Sequence, residues 1–166
     1  MMKAPWSPSK QQSNHFQEEG YFVVRGLLSN DLASEIRGVI KNYLLTPETT
    51  GDAEPNQQTD DTPEARAARF RKLGALGIQS PLIWDAVFTG QSILSVASHF
   101  LGGNLLLKFN SVFCKPARTG AATPWHQDNG LWRDGEISPL NFWMATDPAI
   151  RENGCLQIIP GTHQLE

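Results

Sequence analysis

Residues 124–128 read Pro124-Trp125-His126-Gln127-Asp128. In an extended segment alternate side chains leave the same face, so His126 and Asp128 project together. At that spacing an imidazole nitrogen and a carboxylate oxygen can meet one metal ion from adjacent directions. With a distant second His, such a pair makes the 2-His-1-carboxylate triad, which leaves neighbouring positions open on Fe(II). A His-x-Asp in a solvated turn is spelled the same way. The surroundings here favour a metal loop. Pro124 and Trp125 precede the pair, Asn129-Gly130 supplies a turn after it, and strand-like segments lie on both sides.

Those segments are Leu105 to Lys115 upstream, and Leu140 to Thr146 and Cys155 to Ile159 downstream, with Gly, Pro and Asn between them. Nearer the N-terminus the apolar period becomes helical. After the capping residues Ser29, Asn30 and Asp31, the residues Leu32, Ile36, Val39, Ile40 and Tyr43 predict an amphipathic helix to about Leu45, ended by Pro47. Glu64 to Lys72 is expected to be helical. Ser80-Pro81 reads as a cap and first-turn proline. The helix it opens continues to about Phe88, breaks near Gly90, resumes to Leu101 and stops at Gly102-Gly103. Ser13 to Glu19 predict a short helix with Gly20 as its stop, and Tyr21-Phe22-Val23-Val24 a strand. Residues 1–12 read as a disordered tail. Residues 48–64 hold six acidic side chains and no basic one, with Gly51, Pro55 and Pro63, which makes them a loop. That loop is either a lid at a substrate entrance or a solvated insertion. Helices first and strands second predict an α+β domain over residues 13–166.

A chain of 166 residues can bury the core of one domain. A net charge of -3 gives no basic field for nucleic acid or anionic lipid. No apolar run approaches the ~18 residues that span a bilayer. No apolar signal region opens the chain, so a cytoplasmic location is expected. Cys114 and Cys155 fall in apolar stretches and read as small buried thiols rather than a disulfide.

Four stretches together resemble the phytanoyl-CoA dioxygenase family of Fe(II)/2-oxoglutarate-dependent oxygenases. They are Phe16-x-x-x-Gly20-Tyr21-Phe22-Val23-Val24 with Gly26-Leu27-Leu28; Phe113-Cys114-Lys115-Pro116; Trp125-His126-Gln127-Asp128-Asn129; and Asn153-Gly154-Cys155-Leu156 with Pro160-Gly161-Thr162-His163. The resemblance implies a double-stranded β-helix, a jelly-roll-like barrel with the N-terminal helices packed outside. It makes His126 and Asp128 the first two iron ligands. It places Asn110 and Trp143 beside the 2-oxoglutarate cosubstrate and gives Lys72 one of that dianion's carboxylates. Trp143 as plain barrel core and Lys72 as a solvated helix residue are the competing roles. The implied reaction hydroxylates a small organic substrate with O2 and releases succinate and CO2. Asp128 favours hydroxylation, because related halogenases lack this carboxylate.

The family pattern continues with strands that deliver a distal His ligand and an Arg for the far carboxylate of 2-oxoglutarate. Neither is found before Glu166. The chain is therefore expected to be the first part of an oxygenase, or to take its remaining strands from another chain. An incomplete barrel exposes strand edges, so a homodimer or strand-swapped assembly is expected. His163 matches a loop residue rather than the ligand, His99 reads as structural, and His15 has no case as a ligand. Trp132 and Arg133 either face substrate or serve the surface and core. Two other readings stay open. One is a non-catalytic binding module that keeps the fold; the other is a zinc hydrolase using His126 and Asp128.

Overall fold

In the computed structural model, residues 6–45, 53–55, 62, 70–117, 122–130 and 139–165 are described. Most of the expected acidic loop, the first part of the expected 64–72 helix, and both Trp132 and Arg133 lie outside them.

Helix α1 spans Lys10–Glu19. It starts three residues before the sequence reading, inside the expected tail, because Ser9 and not Ser13 caps it. The Ser9 hydroxyl accepts from the Gln12 amide at 3.2 Å, and the Gln12 side chain accepts from the Ser9 amide at 3.0 Å. This reciprocal pair satisfies two amides that helix geometry leaves without partners. Gly20 ends α1 as expected, at a φ of 81°, with its amide on the Phe16 carbonyl. Residues 21–24 form no strand. Their aromatic content goes instead into ring packing: Phe22 meets Phe16, Phe100 and Trp6 at centroid distances of 5.9, 5.7 and 6.4 Å.

Helix α2 spans Asn30–Leu45, and the Ser29 hydroxyl accepts from the Leu32 amide at its start. Its stripe behaves as the periodicity requires. Ile36 is buried in the main core with Leu73, Leu76, Ile83 and Val87, and Leu32, Val39, Ile40 and Tyr43 pack around it.

The sheet is antiparallel, in the order β1-β2-β3. Strand β1, Ala53–Pro55, lies within the stretch expected to be a loop. Its proline sits on an edge strand beside a register irregularity, where a missing N–H is tolerated. Strand β2, Phe70–Gly74, replaces the end of the expected 64–72 helix. Leu73 pairs with Val112 on β3, Ser111–Phe113, and Lys72 pairs with Phe113. Leu73 is buried, so core packing and two strand partners override a sequence otherwise suited to helix. Only 111–113 of the expected 105–115 strand is paired. Residues 140–146 and 155–159 form no strand.

Between β2 and β3 the chain makes α3 (Leu76–Gln79), α4 (Pro81–Ile83) running into a π-helical turn at Trp84–Phe88, and α5 (Gln91–Leu101). Ser80 caps α4 and Gly102 ends α5. Tyr43 donates to the Gln79 side chain at 2.9 Å and ties α2 to α3. The described residues are thus mixed α and β, with a three-stranded open sheet.

Candidate metal site

His126 lies near the end of an irregular segment and Asp128 opens a 3₁₀ turn, Asp128–Gly130. The Gly130 amide bonds to the Gln127 carbonyl at 3.1 Å. The segment is therefore bent where the sequence suggested an extended run, yet the two side chains still converge. His126 Nε2 stands 3.4 Å from Asp128 Oδ1, with both side chains about two-fifths exposed and so within reach of a solvent ion.

The remaining atoms of the pair are already engaged. His126 Nδ1 lies 2.7 Å from the Pro124 carbonyl. A carbonyl can only accept, so Nδ1 carries the hydrogen. Asn141 Nδ2 donates to Asp128 Oδ2 at 2.8 Å. Each side chain keeps one atom for the other, Nε2 and Oδ1. With a neutral ring those are two acceptors in contact, an arrangement that calls for a proton or a cation between them. Adjacent donors on a metal with bonds near 2.1 Å stand ~3.0–3.4 Å apart. The observed separation fits a shared ion. Orienting partners of this kind are what ligand side chains use to fix tautomer and rotamer.

Among the described residues, no group of three His, Cys, Asp or Glu side chains could hold a metal. The other histidines have different work. His163 Nε2 donates to the Gln17 carbonyl at 3.0 Å. His99 Nε2 pairs with the Ser13 hydroxyl at 2.8 Å. His15 lies edge-on to Tyr21.

The expected cosubstrate residues are placed as follows. Lys72 is half-buried on β2, its ammonium 5.9 Å from the centre of the Phe113 ring. It is a strand residue, not the helix residue expected. Asn110 precedes β3. Its carbonyl accepts from the Ala75 amide at 3.1 Å and its side-chain oxygen from the Gly77 amide at 2.9 Å. Asn110 thus fixes the turn between β2 and α3. Trp143 is half exposed, two residues beyond Asn141.

Two contacts around the metal pair escaped the sequence reading: that of Asn141 with Asp128, and that of Gln127, the residue between the pair, whose side chain donates to the Thr162 carbonyl at 2.6 Å. Asn141 carries a faint signal, standing two residues before Trp143 in a stretch already singled out.

Cys114 and Cys155 are both free thiols, half-buried. Burial pushes Cys114 up to about 11. A groove of about 470 Å³ runs beside α2 and β3, with Arg37, Lys41, Cys114 and Lys115 in its wall. His126 and Asp128 do not line it.

A family model described as Phytanoyl-CoA dioxygenase (PhyH) matches residues 16–166. The ectoine dioxygenase of Stutzerimonas stutzeri (strain A1501) is 23% identical over 153 residues, covering 90% of this chain and 48% of its own. The peroxisomal phytanoyl-CoA dioxygenase of Rattus norvegicus is 23% identical over 172 residues, 94% and 48% of the two chains. The L-proline trans-4-hydroxylase of Streptomyces griseoviridis is 37% identical over 75 residues, 43% of this chain and 28% of its own. The chain spans about half the length of the relatives it matches along most of its own length. No solved structure matches. With the match running from Phe16, in the aromatic cluster, through the His126–Asp128 pair to the last residue, this chain belongs to the phytanoyl-CoA dioxygenase family.

Proposed function

We propose that His126 and Asp128 are the first two ligands of an Fe(II) centre, and that the chain contributes them to a 2-oxoglutarate-dependent dioxygenase hydroxylating a small organic substrate. One observation carries the reading: Nε2 and Oδ1 face each other at 3.4 Å while the other polar atoms of the pair are engaged elsewhere. The relatives described above, two dioxygenases and a hydroxylase, support the same class.

The protein's part is to hold and orient. The Pro124 carbonyl keeps His126 in the tautomer whose Nε2 lone pair is available. Asn141 stops Asp128 from rotating away. Bound iron with 2-oxoglutarate would supply the activation of O2, with succinate and CO2 released. Lys72 is the proposed cation for one carboxylate of that dianion, and its half-buried place on β2 strengthens a charge pairing there. The Asn110 amide and the Trp143 ring are proposed to flank the cosubstrate. The engaged Asn110 oxygen leaves that side chain its NH₂ to offer. The reading includes a double-stranded β-helix with α1 and α2 outside it.

A second reading, a binding module of the same family without turnover, is favoured by the lack of a third metal donor among the described residues. Anaerobic Fe(II) titration with and without 2-oxoglutarate separates the two. The dioxygenase reading expects a charge-transfer band that needs 2-oxoglutarate and is lost in His126→Ala and Asp128→Ala. A folded chain that gives no band belongs to the second reading.

A further inference from the structure

The first and last parts of the described chain meet at the end of α1. A helix leaves its final four carbonyls without partners inside the helix. In α1 these are Phe16, Gln17, Glu18 and Glu19. Gly20 takes the first. The other three are taken from residues 161–164. The Gly161 amide donates to Glu19 at 3.0 Å, His163 Nε2 to Gln17 at 3.0 Å, and the Gln164 side chain to Gln17 and Glu18 at 3.3 and 3.4 Å. The fit is tight: a Cβ at Gly20 would stand 2.5 Å from His163 Nδ1.

The same turn is bonded to the residue between the two members of the metal pair. Gln127, the residue between the two proposed ligands, donates its side-chain amide to the Thr162 carbonyl at 2.6 Å. The Thr162 hydroxyl donates in turn to the Ile159 carbonyl at 2.8 Å, which stiffens the turn. A residue flanked by two ligands can be tethered by its own side chain while its neighbours stay directed at the ion.

We infer that the 160–164 turn, seated on the C-terminus of α1, is the anchor that sets the position of the ligand loop, with Gln127 and His163 as positioning residues. The inference rests on the reading of His126 and Asp128 as metal ligands. It gives the Thr162-His163 part of the signature a role in spacing the ligands rather than in binding the ion. Partners that orient a ligand without touching the metal typically change affinity by 10- to 100-fold.

The experiment is a Co(II) titration of the 166-residue chain, read by visible absorption, with a melting curve for every variant. Gln127→Leu keeps the volume and removes the donor; it is expected to lower Co(II) affinity about tenfold with the melting temperature held. His163→Ala removes the donor to Gln17 and is expected to lower affinity likewise, while His163→Gln, which keeps a donor, recovers most of it. Unchanged affinity in Gln127→Leu overturns the inference and leaves the metal reading standing. Equal loss in His163→Ala and His163→Gln shows that the donor to Gln17 is not what sets the ligand loop and overturns the inference as well. An unaltered chain that takes up no Co(II) overturns the metal reading and the inference together.

Discussion

Asn141 spends its side-chain amide on one oxygen of Asp128, and the Pro124 carbonyl fixes the ring of His126. Asn141→Leu frees that carboxylate to rotate. It should weaken Fe(II) binding by ~10-fold, measured by anaerobic titration, with little change in unfolding midpoint. Cys114 gives a pH signature. Burial keeps its thiol protonated up to about 11, whereas the unfolded chain ionises it from about 9.0 upward. Between those values the unfolded state releases a proton that the folded state retains, so stability falls as pH rises. Chemical denaturation at pH 8 and pH 10 should show a smaller loss in Cys114→Ala than in the unaltered chain. At this scale the sequence was informative where chemistry is local. His126 and Asp128 are two residues apart, so their convergence could be read directly. Asn141 and Thr162 lie 13 and 35 residues from their partners, and only the folded chain brings them there.

Helices α1, α2, α4 and α5 were legible because their signals are carried by consecutive residues, whereas the short α3 was not. Caps at Ser29 and Ser80, stops at Gly20 and Gly102, and the stripe on α2 all sit where the spacing put them. Strands were not, because a strand exists only in relation to a partner. Lys72 lies in a segment of good helix formers, yet pairing with Phe113 and burial of Leu73 place it in the sheet. Residues 21–24 show the converse: β-formers whose aromatic ring joined a cluster. Two substitutions test the packing of these elements. Gly77 touches the Phe88 ring so closely that an added Cβ would stand 2.0 Å from it. Gly77→Ala should cost about 1–3 kcal/mol by overpacking, seen as a lower urea midpoint. Ala75 holds a φ of 55° between β2 and α3, a left-handed conformation that strains any residue with a Cβ. Ala75→Gly should raise stability by roughly 0.5–1 kcal/mol in the same assay.

Across the described residues, the mixture of helix and strand agrees with the sequence, while the later strand-like stretches, Ser111–Phe113 apart, stay unpaired. The apolar side chains those stretches carry are correspondingly open to water. Leu106 is 86% exposed, and Trp143, Leu156 and Ile159 are each about half exposed; Phe113 on β3 and Trp125 in the ligand loop add to this surface. Apolar surface on that scale favours contact with a further chain or segment. Light scattering of the isolated chain at rising concentration should therefore report a mass above that of one chain. A constant monomer mass would remove the case for self-association.

The seat of the 160–164 turn on α1 has a kinetic consequence. The Gly161–Glu19 bond closes a loop of ~140 residues, and closing long loops is entropically slow. Helix α1 has 10 residues, too few to hold its shape in water unaided. The contact that organises the ligand loop is thus among the last a refolding chain can make. In stopped-flow refolding, helical circular dichroism should recover first, and the capacity to bind metal should follow in a separate, slower phase.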